Sequence, residues 1–141
     1  MPIGRLVGDA QREKVVIRLP NATTGEPITA GMAVAVVEDA GSQKIFRCGA
    51  SLYGLQFFGF ADETVAAGEL LNVITGRGSL VEPLVNGVMA GNDQLFLSSV
   101  LGFVQSTPPT RGTGVYTRPV GQAISSTEMV LLTDARFGTV G

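Results

Sequence analysis

The sequence predicts an all-β fold, a small β-barrel or sandwich of short strands joined by Ala-Gly turns, with at most one short helix. Three observations predict it. Strand-length apolar or β-rich runs, each bounded by Gly, Pro, Asn or Asp, recur at the spacing of about 8 to 12 residues that marks all-β chains. One phrase is written three times, as ITAGMAVAV at 28–36, VAAGELLNV at 65–73 and VMAGNDQLF at 88–96. No window keeps a helical period over ten or so residues, and the nearest, ADETVAAGELL, contains Gly68.

Taken in chain order, residues 1–20 come first and stand apart. They carry Arg5, Arg12, Lys14 and Arg18 against Asp9 and Glu13, four minus two, while the whole chain is −2. This segment is expected to be an extended N-terminal arm, with residues 21–141 forming the barrel domain. KVVIRL at 14–19 nevertheless has a strand's composition, and the alternative is that Val15 to Leu19 form the barrel's first strand. In the repeated phrase, Gly31, Gly68 and Gly91 follow an alanine, and glycine accepts the positive φ at the centre of a type II turn. Each copy therefore reads as turn, then strand: MAVAVV, ELLNVIT and QLFLSS. Ala40-Gly41 lacks the preceding aliphatic residue and reads as a hairpin turn between MAVAVV and QKIFR.

Cys48, in IFRCGAS, is expected to be a buried thiol in a strand. A second element, apolar-Gly-x-apolar, places Gly59, Gly102 and Gly121 inside strands, where glycine marks a bulge, a sharp bend or another backbone's close approach. Arg77 in TGRGS is read as the tip of a hairpin before SLVEP. QSTPPTRGTG at 105–114 is the longest expected loop, and GVYT and EMVLL are the last strand-like runs.

Composition narrows the function classes. At 141 residues the chain suits one domain large enough to bury a core unaided. Its 16% charged residues fall well under the usual share of about 25%, leaving apolar surface that an oligomer can hide. Net charge −2 and a pI near 5.0 argue against broad nucleic-acid binding. No run approaches a membrane span or the apolar core of a signal peptide, so a cytoplasmic origin is expected, and a single cysteine allows no intrachain disulfide.

Chemistry is scarce. With no histidine, His-based metal sites and Ser-His or Cys-His pairs are excluded. Glu38-Asp39 and Asp62-Glu63 are neighbours that a strand would point to opposite faces, so they read as turn-flanking charges. TGRGS lacks the Lys-Ser/Thr ending and following helix of a phosphate loop. Lys44 does not match the modified lysine of lipoyl or biotinyl carriers. No catalytic residue, cofactor or metal is expected.

ITAGMAVAVV, FGFADETVAAGELLNVITGRGSLVEP, VMAGNDQLFLSS, LGFVQS and PVGQAISSTEMVLL, in that order, resemble the pattern of small tailed-phage capsid decoration proteins, also called cement or head-stabilising proteins. In that family an Ala-Gly-x turn opens a strand, a Gly-x-Ala phrase follows, an Ala-Gly-Glu/Asp turn opens the next, and a terminal Val-x-Leu strand closes a small β-barrel. The resemblance covers residues 28–132 and rests on turn formers and aliphatic residues. It departs at Val104, where Gly-x-Ala would stand, and leaves the first 27 residues unmatched. It implies a non-enzymatic virion protein on the outer surface of an icosahedral head, often trimeric, with the major capsid protein and its own copies as partners. Arg5, Arg12, Lys14 and Arg18 are then candidate capsid contacts of the arm. Another virion part, such as a head fibre or tail component, and a free-standing ligand-binding barrel are the alternatives; the lack of Trp counts against a sugar ligand.

Overall fold

The computed structural model of the chain describes residues 15–132, and strand β2 (Ala33–Asp39) shows why it has two layers. Successive strand residues face opposite sides. Val34 and Val36 point into one hydrophobic cluster and Ala33 and Ala35 into another, all four fully buried. A strand apolar on both faces must be covered twice. The first cover is a closed barrel in the order β1-β3-β2-β4-β5, formed by β1 (Val15–Thr24), β2, β3 (Ser42–Arg47), β4 (Phe57–Ala61) and β5 (Leu70–Thr75). The second is a five-stranded sheet ordered β6-β10-β9-β7-β8, from β6 (Leu80–Val81), β7 (Gln94–Leu97), β8 (Val104–Gln105), β9 (Pro119–Ala123) and β10 (Met129–Leu131). A 3-10 turn at Gly54–Gln56 is the one helical element among the described residues. The all-β expectation holds, with a barrel and a packed sheet together.

The barrel interior is filled by Ile28, Val34, Val36, Ile45, Phe58, Leu71 and Val73. Between barrel and sheet lie Phe57, Phe60 and Ile74 from one side and Leu95, Leu97, Val120 and Met129 from the other. Strand β4 supplies both layers through a bulge. Its register against β2 runs Phe60 to Ala33 and Gly59 to Val34, then shifts to Phe57 opposite Ala35. The extra residue reverses the alternation, so Phe57 and Phe60 share the outer face with rings 5.5 Å apart, and Phe58 and Ala61 share the inner one. Glycine is required at the bend, because a Cβ on Gly59 would collide with the backbone oxygen of Ile74. Gly121 plays the same part in β9, beside a register shift between Leu95 and Phe96 of β7. A Cβ there would press on Met129 Sδ and lie 3.1 Å from Val130 O.

Gly102 departs from the expectation of a strand glycine. It sits at φ +88 in a turn closed by Phe103 N–H donating to Val100 O (3.1 Å), ahead of the two-residue β8. In sequence its flanking apolar residues mimic a strand, yet Leu101 and Phe103 belong to the turn.

All three repeated phrases do lead from a turn into a strand: β2, β5 and β7. Gly31 and Gly68 take the positive φ expected, +90 and +88. Thr29–Met32 is a closed turn, with Met32 N–H donating to Thr29 O at 3.0 Å. In the third copy the left-handed position moves one residue on. Asp93 N–H donates to Ala90 O (3.0 Å), making Gly91 the first central residue and Asn92, at φ +78, the second. The following acid closes the turn in the last two copies, where Ala66 N–H donates to Glu69 Oε1 (3.3 Å) and Ala90 N–H to Asp93 Oδ2 (2.9 Å). Ala40 (φ 53) and Gly41 (φ 84) form the tight β2–β3 hairpin expected of them, between the paired Asp39 and Ser42.

Three further expectations are corrected. Residues 15–20 are not part of an arm: they belong to β1, with Val15, Val16, Ile17 and Arg18 paired to Thr75, Ile74, Val73 and Asn72. Without β1 the barrel has an open edge on β5, which explains why the strand-like composition at 14–19 prevails over the segment's charge. Arg77 does not tip a hairpin, because its turn links β5 of the barrel to β6 of the other sheet. GVYT is not a strand. Tyr116 is buried there, and its N–H donates to Ala50 O at 2.8 Å.

Candidate interaction surface

Cys48 is fully buried as expected, but it lies one residue past β3 and not in a strand, with its thiol 3.3 Å from Tyr53 O. Burial pushes its pKa far up, because an apolar surrounding disfavours the thiolate. Among the described residues no three His, Cys, Asp or Glu side chains are placed to hold a metal, and no helix is long and apolar enough to cross a membrane. What the fold presents is surface.

The two ends of the described chain meet at one place. Val15 pairs with Thr75, whose carbonyl oxygen accepts from Ser79 Oγ at 2.7 Å. Leu131 N–H donates to Ser79 O and Gly78 N–H to Leu131 O, each at 2.9 Å. The segments preceding Val15 and following Leu132 therefore both attach beside the 75–79 turn. Of the four candidate contact cations, Arg5, Arg12 and Lys14 lie outside the described residues. Arg18 is already engaged: its Nε donates to Asn72 Oδ1 at 2.8 Å, and Nη2 stands 3.7 Å from Glu63 Oε2. Half-exposed, this pair contributes little beyond local order.

Next to that place, an open cleft of about 990 Å³ runs between barrel and sheet. Its barrel wall is Ala30, Gly31, Ala61, Asp62 and Ile74, and its sheet wall is Leu80 to Leu84 with Ser126 to Glu128. Among the described residues the lining contains three carboxylates and no cation. Two of the three lie directly beside a paired strand position. Val81 pairs with Met129 and both are buried, so Glu82 and Glu128, the next positions outward, share the opposite face. Like charges directly opposite one another across a ladder are destabilising. Among the described residues neither carboxylate has a side-chain hydrogen bond or ion pair. Sequence reading placed Asp62 at a turn but had no means of joining it to Glu82 and Glu128, which meet only once two sheets pack.

Apolar side chains are also presented singly, with Val88 83% and Leu55 63% exposed.

No protein-family model matches the chain, and no curated protein does. Among solved structures it is similar to the N base of head fiber gp8.5 in bacteriophage phi29, with a TM-score of 0.55 and 12% sequence identity. The likeness covers 89% of this chain and 100% of that one, and at this identity it concerns the fold.

Proposed function

We propose that the protein is a non-enzymatic structural component of a tailed-phage virion that seats on the outer surface of the icosahedral head and stabilises the shell. The observation that supports this reading is the convergence of two separate likenesses. The turn-strand pattern of residues 28–132 resembles capsid decoration proteins, and the fold over 89% of the chain is similar to the whole of a head-fiber base. The partners in this reading are the major capsid protein and further copies of the chain, as a homotrimer. A low share of charged residues suits burial of surface between protomers and shell. Many identical sites on a head multiply a modest contact energy. No reaction is assigned, since the chain has no histidine and its one thiol is buried.

The test is cosedimentation of purified protein with intact heads that lack it, followed by heating. Saturable binding with greater survival of the decorated heads is expected; absence of binding would remove the reading. A second reading, the base of a fibre, is favoured by the structural likeness. It differs in outcome, because heads would then be bound without being made more resistant to heat.

A further inference from the structure

We propose that copies of the chain join head to tail, an arginine-lined hollow of one copy meeting the Glu82 and Glu128 rim of the next. The hollow is built where two segments poor in charge meet. Tyr116 N–H donates to Ala50 O at 2.8 Å, which holds the 105–118 loop against the 3-10 turn at Gly54–Gln56. Gly54 permits the approach, since a Cβ there would stand 2.6 Å from Tyr116 Cβ. The result is an open hollow of about 300 Å³ with Leu55, Val115 and Tyr116 as its apolar walls, Thr117 and Arg118 completing the lining. Residues 48–61 carry no charge, and between residues 94 and 127 the only charges are Arg111 and Arg118.

Two sets of unpaired charge result. Among the described residues Arg18, Lys44 and Arg47 each stand 3.7–3.9 Å from a carboxylate, whereas Arg111 and Arg118, both exposed, have no ion pair or side-chain hydrogen bond. Glu82 and Glu128, on the rim of the cleft, likewise have none. The second sheet keeps the two sets apart. Arg118 immediately precedes β9, and Glu128 lies past its other end, its carbonyl oxygen accepting from Ile124 N–H at 2.9 Å. The five residues of β9 span about 17 Å, so Arg118 and Glu128 are complementary but out of reach of each other within one chain. A second copy, seated with its cleft rim on the hollow, satisfies both. Guanidinium–carboxylate pairs are strongest when bidentate and shielded from water. The apolar hollow on one side, with the half-buried Pro83 and Leu84 beside Glu82 on the other, supplies that shielding. Because two different patches meet, the contact is heterologous and repeats from copy to copy until a ring closes. It supplies a contact for the homotrimer proposed above and rests on that reading only for the number of copies.

Sedimentation velocity of the purified full chain, with no heads present, tests the contact. Association that grows with protein concentration and weakens as salt rises from 0.1 M to 1 M is expected, because the Debye length shortens from about 10 Å to about 3 Å. The combined Arg111→Glu and Arg118→Glu variant should self-associate at least tenfold more weakly, and so should the combined Glu82→Arg and Glu128→Arg variant. An equimolar mixture of the two should associate again, since each then meets a partner of opposite charge. Melting temperatures identify a variant that has not folded, and the salt series on the wild type then decides alone. A wild-type chain that is monomeric at every concentration overturns the proposal, as does association that salt strengthens or a mixture of folded variants that stays apart. With heads absent, such a failure would leave saturable head binding, and with it the proposed function, untouched.

Discussion

The three Ala-Gly phrases differ at the scale of a single dihedral angle, and stability should report the difference. Alanine at Gly31 must adopt φ near +90 and bring a Cβ to 2.9 Å from Glu82 O. A cost of about 1–3 kcal/mol is expected for Gly31→Ala. Gly91 has no such φ, and its nearest non-neighbour atom would be 3.6 Å away, so Gly91→Ala should stay within about 0.5 kcal/mol of wild type. Asn92→Gly, by relieving a positive φ, should be neutral or stabilising. Urea unfolding of the three variants checks the order; equal losses at 31 and 91 would contradict it. Cys48 yields a pH prediction. Its folded pKa is raised, so its contribution is fully present below the unfolded thiol's pKa, about 8.5, and is lost as pH rises above that value. Stability should fall by at most about 1.4 kcal/mol per pH unit beyond it through this group, and Cys48→Ser should remove the slope. An alkylating reagent should react with Cys48 only after unfolding.

At the scale of elements, the barrel closes only through β1, which bridges β3 and β5. Removing residues 1–20 deletes most of β1's pairing with β5 and should leave a chain without a cooperative unfolding transition. Removing 1–13 should keep the transition, because the described ladder begins at Val15. Circular dichroism during heating distinguishes the two truncations. Phe58→Ala, in the filled interior, should cost about 3–5 kcal/mol. Much of this level was legible in the sequence. Turn glycines followed by aliphatic runs announced β2, β5 and β7, and Gly59 and Gly121 announced bends. The failures share a cause: local pattern does not carry long-range pairing. Gly102 has a strand's neighbours but a turn's φ, because the backbones of Cys48 and Ala33 hold it at both its N–H and its C=O. GVYT has a strand's composition but no ladder to join. The cleft was illegible altogether, since Asp62 belongs to the barrel and Glu82 and Glu128 to the second sheet, and no local spacing relates them.

At the scale of the whole molecule, the segment 1–14 and the strand β1 have separate roles in any account of attachment. Arg18 is held against Asn72 and Glu63 on the barrel wall, so it offers a shell no free cation. Arg5, Arg12 and Lys14 lie outside the described residues, whose ladder with β5 begins at Val15. If the proposed head contact uses this positive segment, the energy comes from charge-assisted contacts whose partners on the shell are acidic. Those contacts weaken as salt rises, because the Debye length shortens from about 10 Å at 0.1 M to about 3 Å at 1 M. The expected outcome is therefore a split among the four cations. Replacing Arg5, Arg12 and Lys14 together by alanine should raise the Kd for heads at least tenfold at 0.1 M salt and much less at 1 M, whereas Arg18→Ala should change it less than threefold. A cosedimentation isotherm on each variant, with its melting temperature measured in parallel, reads both effects. Equal losses for the triple and single variants would place the contact on the barrel wall. No loss for either would leave the apolar positions near Leu55 and Val88 as the surface that meets the shell.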